Sequence, residues 1–282
     1  MKYKNAISIL TVATIVMALT AALLRTFSDN GSSLSDYHSI QDMVTLIMGI
    51  PLLLISLFLF RKESIKGKLL LTGTLGYFFV TYLLYTATAG YDIILLYYAL
   101  ISLTSFLAIV ILTATIIEMK LSSYFNSKAS VSFVGVFLLF SSVLTALSWQ
   151  GIVAPTFNES SITPSGTVHY TRLIVYGLNF GLLLPLALLS GLLLIKRVSI
   201  GYGLSSVYII FSAILMTALT ARIMAMNSDG ADVFPAVIVV PLFNLIAILC
   251  AIYLLNNVRE PEVSIESIVP VSESQMSIAN SD

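Results

Sequence analysis

"HSIQDMVTLIMGIPLLLISLFLFRKESIKGK", residues His38 to Lys68, decides how this chain folds. Polar residues that include Asp42 stand first, a long apolar run follows, and Arg61 and Lys62 end that run. A helix that crosses the hydrocarbon core of a bilayer needs roughly 20 mainly apolar residues. The stretch therefore predicts a membrane-spanning helix with an acidic residue just inside one of its ends.

The composition of the whole chain agrees with a lipid environment. Of the 282 residues, 58% are hydrophobic and only 10% are charged, and the mean hydropathy is +0.98. Soluble globular domains have a far more mixed composition. The formal net charge is zero, so the chain has no long-range field that would attract nucleic acid. We therefore predict the lipid bilayer, and no nucleic acid, as a partner.

About eight apolar runs have the length that a spanning helix requires. Open sheet edges cannot face lipid, and the runs lack the alternation of barrel strands. The predicted fold is therefore all-α, a polytopic transmembrane helical bundle. We predict a transmembrane domain over 1–257 and a disordered cytoplasmic tail over 258–282, which is rich in serine and glutamate. The predicted spans are approximately 6–25, 40–60, 69–89, 93–117, 131–152, 171–195, 201–226 and 235–255.

The distribution of lysine and arginine predicts the orientation, because positive residues are retained on the cytoplasmic side. With a cytoplasmic N-terminus, only Arg25, Arg172 and Arg222 of the 14 lysines and arginines lie toward the outside. An even number of spans returns the C-terminus to the cytoplasm. We therefore predict a multi-pass protein of the plasma membrane with both termini in the cytoplasm.

Two stretches of the sequence echo each other. "PLLLISLFLFRKESIKG" begins at Pro51, and "PLALLSGLLLIKRVSIG" begins at Pro185. Both have a proline, a serine five residues later, an apolar run, a basic pair and a Ser-Ile-Gly type ending. This echo raises the hypothesis of two parallel four-helix halves, as in duplicated membrane folds. Chance similarity between leucine-rich segments is the alternative.

Polar residues lie mainly in the outer halves of the predicted spans, whereas the inner halves are almost purely apolar. A charge at membrane depth costs several kcal/mol unless it is paired or hydrated. We therefore expect Asp42 to face the bundle interior and to pair with Arg222 or, as a second choice, with Arg172. The hypothesis is an outward-facing polar pocket between spans two, three, six and seven. Its candidate residues are Asp42, Arg222, His38, Gln41, Tyr77, Tyr85, Arg172 and Asn179.

A purely structural interpretation competes with this pocket. Tyrosines collect at membrane interfaces, so an aromatic belt would account for Tyr85 and Tyr98. Serines, threonines and glycines also hold membrane helices together, and Gly177 and Gly181 have the G-x-x-x-G spacing of such contacts.

Three stretches resemble a group of uncharacterised multi-pass integral membrane proteins of prokaryotes with about eight spans. They are "QDMVTLIMGIPLLLISLFLFRK", "GKLLLTGTLGYFFVTYLLYTA" and "LNFGLLLPLALLSGLLLIKRVSIGYGL". The group has no known activity, so the resemblance implies membrane residence alone. The group has an aspartate where this chain has Asn179, so an acidic role at that position is not implied.

Residues for catalysis, metal binding or cofactor binding are not predicted. The only histidines are His38 and His169, and the single cysteine is Cys250. Zinc usually takes three or four His, Cys or acidic ligands, and an intramembrane haem takes two buried histidines. No metalloprotease, hydrolase or nucleotide-binding motif stands in a suitable setting.

Three hypotheses for function remain. The first is a binding or accessory membrane protein that takes a small ligand or a membrane-protein partner at its outer face. The second is a transporter or permease for a small, largely apolar solute, for which Pro51, Pro185 and Pro241 would mark broken helices near mid-membrane. Coupling to an ion is not expected, because no ionisable residue lies deep in the inner halves. The third is an intramembrane enzyme that uses Asp42 with His38 or His169 as acid and base at the outer surface.

Overall fold

Eight helices and no strand form the described part of the chain. The computed structural model describes residues 3–28, 36–88, 93–126, 129–158, 174–230 and 232–260. The predicted all-α fold is confirmed. The helices are α1 (Lys4–Ser28), α2 (36–61), α3 (Ile65–Thr88), α4 (Ile93–Glu118), α5 (Ser132–Asn158), α6 (Ile174–Ile195), α7 (Ser199–Ser228) and α8 (Ala236–Asn256).

Seven of these helices are long and apolar enough to cross a membrane; in α5 the apolar segment with described side chains is the shorter Ser132–Leu147. The eight helices fall on the eight predicted apolar runs. Large apolar side chains lie exposed along the bundle, including Leu54 and Phe58 of α2 and Leu245 and Leu249 of α8. Such surfaces are stable only against lipid. The chain is therefore a membrane protein. Its tail beyond residue 260 lies outside the described residues.

Helices α3 and α7 form the centre of the bundle. Helix α3 packs against α2, α4 and α7, and α7 packs against α3, α6 and α8. In the Ile65–Ala87 part of α3, 67% of the most apolar window is buried, compared with 28–39% in the other six spans. Helix α1 lies against α4, and α5 lies against α6. The residues that line any interior site must therefore come mainly from the faces of α3 and α7.

Small residues allow the closest helix contacts. A Cβ atom added to Gly73 of α3 would lie 2.6 Å from Ile210 Cγ2 of α7, and one added to Gly191 of α6 would lie 2.8 Å from the carbonyl oxygen of Gly135 in α5. Glycine is required at both contacts because any side chain would overlap the neighbouring helix. By contrast, no atom lies within 4 Å of a Cβ added to Gly177 or Gly181. The expected G-x-x-x-G contact of these two glycines is therefore not formed with any of the described residues.

One end of the bundle, which we call the lysine end, carries Lys4, Glu63 and Arg197. Lys4 Nζ pairs with Glu63 Oε1 at 3.0 Å, and Arg197 Nη2 donates to the carbonyl oxygen of Ala129 at 3.4 Å. We call the opposite end the Arg25 end. Because α2 and α7 run in opposite directions, Asp42 of α2 and Arg222 of α7 both lie toward the Arg25 end.

The chain after α8 crosses the lysine end and caps α3. The Glu260 carboxylate accepts hydrogen bonds from the Ser64 hydroxyl at 2.6 Å, the Ile65 amide at 2.9 Å and the Lys66 amide at 3.1 Å. An acid at a helix N-terminus satisfies amides that have no partner within the helix. These bonds hold the pKa of Glu260 below its ordinary value. The segment is thus fastened to the connection between α2 and α3.

Local structure recurs at a constant spacing in the two echoing stretches. A π-helical turn covers Thr45–Gly49 in α2 and Asn179–Leu183 in α6, and each is followed by a proline at the second residue of an α-helical segment. The prolines Pro51 and Pro185 are 134 residues apart (185 minus 51), as are the turn starts (179 minus 45). A π turn carries one more residue than an α turn.

The loops that follow have the same conformation. Glu63 and Arg197, also 134 residues apart (197 minus 63), have positive φ angles of 64° and 55°. The Ser64 amide donates to Leu59, and the Val198 amide donates to Leu193, which closes the same five-residue span in both loops. This pattern is a Schellman-type helix end. The hypothesis of two parallel halves stays a prediction, and these shared features are its support.

Candidate functional site

Asp42 forms an ion pair with Arg25 of α1. Arg25 Nη1 donates to Asp42 Oδ2 at 2.8 Å, and the side chains are only 19% and 16% exposed. The expected pairing of Asp42 with Arg222 is therefore wrong, and Arg172 lies outside the described residues. The physical reason is chain connectivity: α1 ends and α2 begins at the same end of the bundle, so these two charges meet across one short connection. The pair shields both charges from the bilayer.

Aromatic rings complete the surroundings of this ion pair. The Arg25 guanidinium carbon lies 5.5 Å from the centre of the Tyr85 ring. Tyr85 also packs against Tyr82 and Tyr98, with ring centroids 5.6 and 5.3 Å apart. A guanidinium above an aromatic ring is attracted by the electrons of that face. Tyr85 thus belongs to a buried, packed cluster of α1, α3 and α4.

Tyr77 is fully buried and is hydrogen-bonded to the π turn of α2. Its hydroxyl lies 2.8 Å from Thr45 Oγ1, and the Thr45 hydroxyl also lies 2.9 Å from the Gln41 carbonyl oxygen. Burial of a polar group is stable only when it has such partners. Tyr77 therefore connects α3 to α2 from within the core.

A cavity of about 500 Å³ lies between α2, α3, α5, α6, α7 and α8 toward the Arg25 end. Ligand sites in proteins typically have volumes of about 300 to 1,000 Å³. We call it the Arg222 cavity. Four of its lining residues are polar and nine are apolar. They are Gln41, Thr145, Asn179, Arg222, Leu84, Leu144, Val175, Leu215, Met216, Leu219, Val239, Val240 and Phe243.

The structure thus brings together three of the eight predicted pocket residues. Gln41, Asn179 and Arg222 line the Arg222 cavity, whereas Asp42, Tyr77 and Tyr85 are not among its lining residues. Arg172 and the side chain of His38 lie outside the described part of the chain. Walls from α5 and α8 were not expected, and the lining is mainly apolar. The cavity therefore suits an amphipathic molecule better than a purely polar one.

Among the described residues that line this cavity, Arg222 is the only charged one. The side chain is half-buried, and among the described residues it has no hydrogen bond or ion pair. Asn179 donates from Nδ2 to the Val175 carbonyl oxygen at 2.8 Å, so its Oδ1 and the second hydrogen of Nδ2 are left to face other groups. The polar part of the cavity therefore consists of one cation and several uncharged groups.

A smaller cavity of about 80 Å³ adjoins the Arg222 cavity on the side of the lysine end. The two share Thr145, Asn179, Leu215, Met216 and Phe243 in their walls. Hydroxyl groups of Ser141, Ser142, Tyr208 and Ser212 also line the smaller cavity. A separate apolar cleft of about 220 Å³ lies between α3, α4, α6 and α7. Polar groups therefore continue from Arg222 to the middle of α7.

Sequence reasoning missed both the partner of Asp42 and the apolar walls of the cavity. A usable signal existed for Arg25, because it ends the span that directly precedes Asp42 in the chain. For Leu215, Met216 and Phe243 there was none, since a leucine that lines a cavity looks like one that faces lipid. The described residues include no group of three His, Cys, Asp or Glu side chains that could hold a metal ion.

Comparisons of the chain with protein-family models, with curated proteins and with solved structures find no match. The resemblance to prokaryotic multi-pass proteins therefore stays an expectation. What the chain does must be inferred from the site itself.

Proposed function

We propose that this membrane protein is a binding protein that holds an amphipathic small molecule in the Arg222 cavity. We also propose that the cavity faces the outside of the plasma membrane, with both termini in the cytoplasm. The observation that carries the proposal is the lining of the cavity, which combines nine apolar residues with Gln41, Thr145, Asn179 and Arg222. Binding sites for small molecules combine an apolar wall with a few placed polar groups in this way.

The ion pair of Asp42 with Arg25 supports a structural role for that acid. Its carboxylate is held at 2.8 Å by the guanidinium, away from the residues that line the cavity. General acid–base chemistry needs a group within hydrogen-bond reach of the substrate. Binding is therefore favoured over catalysis at this site.

A cavity-filling substitution tests the proposal. The probe is nitroxide-labelled methyl stearate, a neutral amphiphile, added to the purified protein in nanodiscs of zwitterionic lipid. Its immobilised fraction is measured by electron paramagnetic resonance. We expect Leu215→Trp to lower this fraction, since Leu215 lies in the walls of both polar cavities. Leu249→Trp is the matched control, because Leu249 is 57% exposed on α8. Equal immobilisation by both variants and the natural protein would falsify binding in the cavity.

A transporter of a small, largely apolar solute is the second candidate. The observation that favours it is the pair of π turns followed by Pro51 and Pro185, one of which begins at Asn179 in the cavity wall. Interrupted helices beside a central site are typical of transporters with internal repeats. The same labelled ester, enclosed in proteoliposomes, distinguishes the two. Movement of the ester faster than in empty liposomes, and blocked by Leu215→Trp, indicates transport.

A further inference from the structure

The charge inside the Arg222 cavity restricts which amphipathic molecule it can take. This inference rests on the proposed binding function and adds a chemical class to it. An arginine guanidinium loses hydration when it lies in a mainly apolar cavity. A hydrogen-bonded opposite charge offsets the free-energy cost of that lost hydration. The described lining contains no acidic residue that could do so.

Asp42 is the obvious candidate for that opposite charge, and it is engaged elsewhere. It follows Gln41, a lining residue, directly in the chain, yet its carboxylate is bound to Arg25 at 2.8 Å. The other described acids that form ion pairs or helix caps, Glu63 and Glu260, lie at the lysine end. Asp229 and Asp232 follow α7 at the Arg25 end, but no described acid is among the residues that line the Arg222 cavity.

The residues around Arg222 also favour a ligand that carries a negative charge. Gln41, Thr145 and Asn179 can donate or accept hydrogen bonds, so they can support an oxygen-bearing head group. The remaining wall is formed by aliphatic side chains, Met216 and Phe243. On α7, Leu215 and Arg222 are seven residues apart (222 minus 215), which corresponds to about 10 Å along the helix axis. The charge of the cavity therefore lies nearer the Arg25 end than the uncharged wall at Leu215 does.

We propose that Arg222 binds the anionic head group, a carboxylate or a phosphate, of a single-chain amphiphile. The hydrocarbon chain of this ligand lies against Leu215, Leu219 and Phe243. Guanidinium groups bind both carboxylate and phosphate through paired hydrogen bonds. The proposal therefore specifies the negative charge and the hydrocarbon chain of the ligand, and the choice between carboxylate and phosphate is left to experiment.

The test compares probes that differ only in charge. Nitroxide-labelled stearic acid and its methyl ester are titrated with the protein in zwitterionic nanodiscs above neutral pH, and dissociation constants are taken from the immobilised fraction. We expect the acid to bind about tenfold more tightly than the ester, as a charge-assisted hydrogen bond would give. Arg222→Gln should bring the ratio to about one, whereas Arg222→Lys should keep most of the preference. Arg259→Gln, at the lysine end, is the control and should leave the ratio unchanged.

Further arms identify the source of the anion. A monoalkyl phosphate with the same labelled chain shows whether phosphate or carboxylate binds more tightly. Acetate and inorganic phosphate have the charge without the hydrocarbon chain and should not displace the labelled acid. Displacement by either anion would overturn the proposal that the ligand is an amphiphile.

Each remaining outcome separates this inference from the proposed function. Equal affinity for acid and ester in the natural protein, or a preference that persists in Arg222→Gln, rejects the anionic ligand. The binding function still stands in that case if Leu215→Trp lowers the affinity for both probes. Failure of both probes to bind the natural protein rejects both ideas. The comparison of acid with ester uses the natural protein, so it remains decisive even if Arg222→Gln does not fold.

Discussion

Thr45 and Asn179 occupy the same place in the two echoing stretches, as the first residue of a π turn, yet their surroundings differ. Thr45 is 2% exposed and shares a hydrogen bond with Tyr77. Asn179 is only partly buried and lines the Arg222 cavity. The local backbone is the same in both stretches, whereas the side chains close the predicted first half and leave room in the predicted second half.

One pair of corresponding residues differs in the hydrogen bond it can form. Phe211 stands 134 residues after Tyr77 (211 minus 77), and it has no hydroxyl to offer to Asn179. Asn179 donates instead to its own helix at Val175. Among the described residues, Asn179 thus has no counterpart of the hydrogen bond that Thr45 makes across the helices. It borders instead the cavity for which we propose ligand binding.

The largest expected effect comes from breaking the ion pair of Arg25 with Asp42 in the predicted first half. Arg25→Leu leaves the Asp42 charge without this partner in a site that is 16% exposed. We expect a loss on the order of 3 kcal/mol in the free energy of unfolding. Unfolding in mixed micelles of increasing dodecyl sulfate content measures it.

The double variant Arg25→Leu with Asp42→Leu is the decisive control. It should recover most of the loss, because neither charge is then left alone. The exposed pair of Lys4 with Glu63 serves as the reference, and Lys4→Met should cause no measurable change. If the single losses simply add in the double variant, the two charges do not stabilise each other.

The next largest effect, from alanine substitutions at Gly67 and Gly201, tests how similar the packing of the two predicted halves is. A Cβ atom at Gly67 would lie 2.6 Å from the Leu59 carbonyl carbon, and one at Gly201 would lie 2.5 Å from the Leu193 carbonyl carbon. Because both contacts involve backbone, we expect Gly67→Ala and Gly201→Ala each to cost about 1–3 kcal/mol. Gly181→Ala, with no atom within 4 Å, should be tolerated. Thermal unfolding in detergent measures all three, and unequal costs at 67 and 201 would contradict equivalent packing.

A smaller effect tests the hydrogen bond that only one half has. A double-mutant cycle with Thr45→Ala and Tyr77→Phe should give a coupling of about 1 kcal/mol. The corresponding cycle with Asn179→Ala and Phe211→Leu should give less than half of that value. Unfolding free energies of the variants in mixed micelles measure both couplings. Similar values from the two cycles would remove the difference on which the comparison depends.

The smallest effect concerns the cap on α3 at the lysine end. The pKa of Glu260 is lowered by its bonds to Ser64, Ile65 and Lys66, so its folded value lies below the ordinary 4.5. A lowered pKa means that the stabilisation is present above that ordinary value and is lost as the pH falls through the folded value. The natural protein should therefore melt slightly above Glu260→Gln near neutral pH. This difference in melting temperature should shrink on acidification below 4.5; a difference that grows would show the opposite sign.

The sequence was sufficient for the fold because lipid imposes a simple rule on it. Each long apolar run becomes a helix, and α2 begins and ends within a few residues of its predicted span at 40–60. The π turn in that helix was not predicted, since Thr45–Gly49 has no composition that distinguishes it from an α-helical turn.

The site was less accessible to prediction. Gln41, Asn179 and Arg222 could be proposed because polar residues are rare in spans and must face the interior. The separation of these three residues from Tyr77 and Tyr85 could not be predicted, because it depends on which helices are neighbours. Helix α1 lies against α4 and supplies Arg25 to the first half. Neighbourhood in a bundle is determined by packing, and apolar patterns leave it open.

The π turns also fix the rotational phase of the helix segments that precede them. Each turn accommodates one additional residue, and one residue corresponds to a rotation of about 100° around a helix. Loss of a single residue from Thr45–Gly49 would let the segment Asp36–Val44 continue as a regular helix with a different face turned inward. Asp42 would then point away from α1, although every residue of the ion pair was still present. Single-residue deletions in this bundle are therefore expected to rotate whole helix ends. The number of residues between each proline and the Arg25 end is thus as constrained as the identity of those residues.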